Sequence, residues 1–104
     1  MANNWNIPKC LELEVRERDK VCVYCGCEFT PANEAKKTAA SWEHIINDAT
    51  IITRENIALC CCGCNSSKGQ KQLSIWLRTK YCIERGITKE TVAPIIKQAI
   101  SNGL

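Results

Sequence analysis

Two Cys-x-x-Cys pairs, Cys22/Cys25 and Cys61/Cys64, constrain this chain more than any other feature. Two-residue spacing lets both sulfurs of a pair face one ion, and two such pairs can close a tetrahedral zinc site. The segment between them is then cinched into a loop. Cys27, Cys60 and Cys62 sit beside these ligands, so a shifted arrangement stays open; the equal spacing of the two pairs favours Cys22, Cys25, Cys61 and Cys64. A dithiol redox role for Cys22 and Cys25 competes less well, because two such pairs in one small domain favour metal. Cys10 and Cys82 read as small buried hydrophobes.

With 104 residues the chain has room for one domain, 1–104, with a modest core that a metal staple would support. Nine cysteines are an odd number, which argues against a complete disulfide framework. Residues 1–6 are polar apart from Trp5 and do not resemble a signal peptide. No run approaches a membrane span of about 18 apolar residues. The expectation is a cytoplasmic chain with no membrane partner, in a compartment that keeps thiols reduced. A net charge of +3 decides little alone; the placement of the cations matters more.

Residues 8–19 predict an amphipathic helix on Cys10, Leu11 and Val15, with Glu14 and Arg18 as an i,i+4 pair. Residues 21–26 form the first knuckle, where Gly26 lets the backbone turn under the metal. Residues 29–40 read as a surface loop. Residues 42–46 and 50–53 predict a hairpin turned by Asn47, Asp48 and Ala49. From Ser67 to Arg85 the pattern predicts one helix, stopped by Gly86. It carries Leu73, Trp76 and Leu77 on one side; Lys68, Lys71 and Arg78 form an opposite basic face suited to a phosphate backbone. A last short helix is expected over residues 91–101, with Pro94 in its first turn. Trp42 and Trp76 read as core.

Between the two knuckles lies the only histidine, His44, preceded by Glu43. The ordered series Glu43-His44-Ile45-Ile46, then Asn56, then Cys61-Cys62-Gly63-Cys64-Asn65-Ser66-Ser67-Lys68-Gly69 resembles the HNH endonucleases, in particular their small zinc-knuckle members, often phage-associated. The match spans about residues 21–76. The resemblance implies a small α+β fold: a ββα-metal core of hairpin and helix, stapled by a structural Zn2+ on four cysteines and flanked by terminal helices. It implies a metal-dependent endonuclease acting on DNA, with His44 as general base and Asn56 orienting that base and its loop. Glu43 and Asn65 would ligate a catalytic divalent ion, Mg2+ or Mn2+. Asn65 makes the chain an HNN variant; Glu43 stands where many members have Asp, and Asn47 where many have Pro. Phage members of this kind work beside DNA-packaging proteins, a partner class that is likewise implied. A monomer and a homodimer both stay open.

The residue types suit this chemistry on their own account. Phosphodiester hydrolysis at neutral pH needs a base of pKa near 6.5 to activate water, and a hard Lewis acid held by carboxylate and amide oxygens. An all-thiolate zinc has no open position, so two metals with separate jobs follow. Lys68 and Arg54 are further candidates for phosphate contact. The rival from another class is a non-catalytic zinc-ribbon module binding nucleic acid or protein. It would keep the cysteines and the basic helix but would have no use for Glu43, His44, Asn56 and Asn65 together.

Overall fold

The computed structural model describes residues 5–31 and 33–103. Helix α1 (Lys9–Arg18) leads through the first knuckle and a 3-10 turn (Lys36–Thr38) into strand β1 (Ala40–His44). A long loop returns the chain as strand β2 (Ile57–Cys61), which runs directly into helix α2 (Cys62–Lys68). Short helices α3 (Leu73–Trp76), α4 (Lys80–Arg85) and α5 (Pro94–Ser101) complete the chain. The architecture is a small α+β fold around one antiparallel two-stranded sheet.

The first helix forms where expected, with Pro8 before it and Asp19 after it. Its ion pairs differ from expectation: Glu12 bonds Arg16 at 3.3 Å, while Glu14 pairs with Arg54 at 2.7 Å. Arg18 instead grips the Asp19 carboxylate at 2.7 Å and the carbonyls of Arg54 and Ile57 at 2.7 and 2.8 Å. Cys10 is exposed, not buried; Cys82 is buried as expected.

The hairpin is real, but its second strand lies further along than residues 50–53. Trp42 faces Leu59 and His44 faces Ile57 across it. Residues 50–53 remain in the loop because side chains there satisfy the backbone: Asp48 accepts from the Thr50 N–H at 3.0 Å, and Asn56 bonds both Ile46 and Ile51. Every residue of β2 is buried. A strand covered on both faces carries a continuous apolar run instead of alternation, which is why its pattern did not read as half-exposed β. The outer edge of β2 is closed as well: the Leu59 N–H donates to Asp19 at 3.1 Å and its carbonyl accepts from Val23 at 3.2 Å.

Alternation along β1 divides the core. Trp42 packs with Ile7, Val15, Ile57 and Leu59 on the α1 side. On the other side, Ile45, Ala58 and Cys60 join Cys22, Tyr24 and Trp76. Trp42 and Trp76 are core, as expected.

The predicted single helix over 67–85 is three helices. Gly69 adopts φ +50 and its N–H caps the Asn65 carbonyl at 2.9 Å, ending α2. Trp76 Nε1 then donates to Ser67 Oγ at 3.0 Å, folding α3 back onto α2. Gly86, at φ +67, ends α4 as expected, and Pro94 opens α5.

Candidate metal centre and the His44 site

The sulfurs of Cys22, Cys25, Cys61 and Cys64 all lie within 4.8 Å of one another. A zinc–sulfur bond of about 2.3 Å places tetrahedral ligand sulfurs about 3.8 Å apart, and Cys25 and Cys61 are 3.8 Å apart. This set can therefore hold a metal ion such as zinc, and it is the equally spaced set; Cys27, Cys60 and Cys62 are not part of it. Gly26, at φ +77, turns the first knuckle, and its N–H returns to the Cys22 carbonyl at 3.0 Å. Cys61 caps α2 by accepting the Cys64 N–H at 3.4 Å. A Cβ at Gly63 would press on Tyr81 Oη at 3.3 Å and lie 3.4 Å from the Lys37 carbonyl, so the approach there is close. Tyr81 Oη donates to Cys64 Sγ at 3.4 Å, steadying a ligand from outside the cage. The bond from Cys64 holds the Cys22 thiol down at about 4, and the same bond pushes Cys64 up. Metal binding to such thiols releases their protons.

At the end of β1, Glu43 and His44 point to opposite faces of the sheet. Glu43, 5 % exposed, faces the α2 side. Its Oε2 accepts from Tyr24 Oη at 2.5 Å and pairs with Lys68 Nζ at 3.2 Å. Burial raises the Glu43 pKa, and Lys68 and Tyr24 oppose that rise. Burial likewise pushes the Tyr24 phenol up, with Glu43 adding to it. Lys68 is thus inside the protein, 1 % exposed, and is not on a solvent-facing basic surface. Position 68 sits one turn beyond Asn65 on the inner side of α2, and the break after Gly69 separates it from Lys71 and Arg78.

His44 lies on the opposite face, 7 % exposed, with the Trp5 ring edge-on at 5.0 Å. Its Nε2 is buried and has no hydrogen-bond partner among the described residues, and neither has Trp42 Nε1 on the same face. Burial lowers the His44 pKa; Asp48 pulls it up and Lys68 adds to the lowering. Asn56, buried, pins the loop that follows: its Oδ1 accepts from the Ile46 N–H at 2.7 Å, and its Nδ2 donates to the Ile46 and Ile51 carbonyls at 3.3 and 3.1 Å. Its role toward the loop is direct, and it reaches His44 only through the backbone.

Asn65 sits inside α2, not at its start, so it is no N-cap. Its Nδ2 donates to Ser41 Oγ at 2.9 Å and the Trp42 carbonyl at 3.1 Å. Asn65 and Glu43 therefore share the α2-facing side of β1. Glu43 is held there by Tyr24 and Lys68, and Asn65 by Ser41 and the Trp42 carbonyl.

The remaining basic candidates are dispersed. Lys71 is exposed in the α2–α3 turn, its Nζ on the Ser67 carbonyl at 3.2 Å; Arg78 is exposed between α3 and α4. Arg54 is committed to Glu14. The sequence reading missed a groove of about 680 Å³ beside the cage that carries Lys36, Lys37 and Arg85 on its wall. It also missed Tyr24 and the inward turn of Lys68. Tyr24 lies between the first two cage cysteines, where any inward side chain must pack beneath the knuckle; that position was the available signal.

Comparison of the chain with protein-family models, curated proteins and solved structures finds no match. No helix among the described residues is long and apolar enough to cross a membrane.

Proposed function

We propose that this chain is a DNA endonuclease of the HNH kind, hydrolysing phosphodiester bonds with His44 as general base on a four-cysteine zinc scaffold. The observation that carries the reading is His44 Nε2, buried at a strand end without a hydrogen-bond partner among the described residues. Leaving such an atom unpaired costs about 1–3 kcal/mol. A protein with no use for the ring would be more stable with an apolar residue there. The depressed pKa favours the neutral imidazole at pH 7, the form that can take a proton.

In this reaction Nε2 accepts a proton from water as the water oxygen bonds to phosphorus. The P–O bond to the leaving sugar oxygen breaks, and solvent returns a proton to that oxygen. Trp5, 44 % exposed, is the ring's cover, a surface side chain that a bound DNA strand can displace. Asn56 keeps the loop after His44 in register with the strand end. The Mg2+ or Mn2+ that the resemblance implies would supply Lewis-acid stabilisation of the phosphate, but Glu43 and Asn65 lie on the α2 side of β1, across the strand from His44, and Glu43 already meets Tyr24 and Lys68, so this pair does not fit that role. Exposed Lys71 and Arg78, with the Lys36, Lys37 and Arg85 groove, supply sequence-independent attraction to the DNA backbone. Low sequence specificity follows from so few residues outside the site.

The test is conversion of supercoiled plasmid to nicked and linear forms by wild type and His44→Ala, with Mg2+, Mn2+ or EDTA. Ion-dependent conversion lost in the variant supports the reading. No conversion under any ion, from folded and zinc-loaded protein, moves the assignment to a binding module.

A further inference from the structure

Lys68 is the most deeply buried cation in the molecule among the described residues, and its surroundings are specific. Its side chain is 1 % exposed, and its ammonium has two partners. One is Glu43 Oε2 at 3.2 Å, and the other is the Ile45 carbonyl at 3.2 Å. These are the residues immediately before and after His44. Burying an ammonium is costly, and a methionine would fill much the same space without that cost. The charge is therefore kept for what it holds.

We propose that Lys68 is a positioning residue for His44, tying the Glu43 carboxylate on one side of the base and the Ile45 backbone on the other to helix α2. The inference rests on the nuclease reading for its catalytic meaning, and on geometry alone for the tie. Along one side of α2 and its N-cap lie Cys61 and Cys64, then Asn65, then Lys68, spaced so that they share a face. The cysteines enter the metal cage. Asn65 bonds Ser41 and the Trp42 carbonyl midway along β1. Lys68 bonds the strand end. Ile45 is held from the opposite edge too, where its N–H donates to the Asn56 carbonyl at 2.9 Å. Helix α2 is thus a strut running from the cage to the base, and Lys68 is its last attachment. The cage then does more than staple the fold: through α2 it sets where the imidazole stands.

The sequence reading offered Lys68 as a phosphate contact, and kinetics separate the two roles. A phosphate contact acts on KM for DNA; a positioning residue acts on kcat. Lys68→Met, assayed as zinc-loaded full chain, is expected to lose about 10–100-fold in kcat at unchanged KM, as for other residues that orient a functional ligand. The chain has one histidine, so its ring gives a single set of NMR resonances, and these should shift in the variant. Unchanged kcat, or lowered kcat with unmoved His44 resonances, overturns the proposal. Should Lys68→Met not fold, Glu43→Gln/Lys68→Met removes both buried charges and is compared with Glu43→Gln alone by the same resonances. A difference between them supports the tie to Ile45, and identity overturns it. If wild type itself does not cut DNA, the nuclease reading fails, while the resonances still decide whether Lys68 positions the ring.

Discussion

Glu43 and His44 are neighbours on one strand and are buried to nearly the same extent, yet their environments are opposite. Glu43 meets a phenol and an ammonium placed to receive it. His44 Nε2 has no hydrogen-bond partner among the described residues, and the Trp5 ring stands edge-on to the imidazole. The α2 face is finished: cage, tyrosine, lysine and asparagine are mutually satisfied. The α1 face carries two ring nitrogens without a hydrogen-bond partner among the described residues, Trp42 Nε1 and His44 Nε2. A group kept for structure is given its partners, whereas a group kept for chemistry retains an open valence at a cost. On the proposed reading, the contrast separates scaffold from site.

The largest effect erases the contrast altogether. Both faces hang from the cage, so Cys64→Ser should unfold the chain, with loss of zinc stoichiometry and of the far-UV circular dichroism signal. Structural zinc sites contribute apparent binding energies of about 10–16 kcal/mol, more than a domain of this size can spare. A chelator should do the same to wild type.

The next test sets the neighbours against each other. Glu43→Ala leaves the Lys68 ammonium buried and unpaired, and should cost about 3–5 kcal/mol in urea unfolding. His44→Ala removes an unsatisfied atom and should cost less than about 1 kcal/mol, while plasmid cleavage falls about 10²–10⁴-fold. Equal stability losses in the two variants would show that the faces are not differently built. Asn65→Ala should leave zinc content normal; a changed response of cleavage to added Mg2+ or Mn2+ would show that the α2 face takes part in the chemistry.

Smaller still is Tyr24→Phe, which removes one partner of a buried carboxylate and should cost about 1–3 kcal/mol, read as a shift in urea midpoint. Acidity provides the finest comparison, because the neighbours shift in opposite directions. The folded pKa of His44 lies below its unfolded value, so its contribution to stability is complete above about pH 6.5 and is lost as pH falls through the folded value. The folded pKa of Glu43 lies above its unfolded value, so its contribution is complete below about pH 4.3 and is lost as pH rises through the folded value. Urea midpoints of wild type and His44→Ala should therefore converge or cross only on the acid side of about pH 6.5. The acid limb of cleavage should likewise fall below about pH 6.5.

Much of this was legible along the chain. The four cage ligands followed from spacing, because a Cys-x-x-Cys turn is a local geometry that needs no knowledge of the rest of the fold. Gly26, Gly86 and Pro94 marked their boundaries for the same reason: φ preference belongs to the single residue. Helix α1 followed from periodicity. What failed depended on burial. Strand β2 hid because both its faces are covered, and residues 50–53 passed for a strand because nothing local announces that Asn56 will take their hydrogen bonds. The long helix over 67–85 broke at Gly69, a residue whose conformational freedom permits the break without requiring it; the Trp76–Ser67 bond made the turn worthwhile.

The sequence by itself therefore determined the metal cage, the presence of one imidazole beside a carboxylate, and the existence of a hairpin between two knuckles. These rest on covalent spacing and on residue chemistry, which do not change on folding. Only the tertiary structure decided which way each side chain faces. It turned Lys68 inward to Glu43 and Ile45, drew Arg54 to Glu14, and left His44 Nε2 without a partner among the described residues. An ammonium is solvated by default, and it is buried only when elements distant in sequence bring it enough oxygen to replace the lost water. That exchange is a property of the assembled α2–β1 contact, and no single stretch of chain contains it.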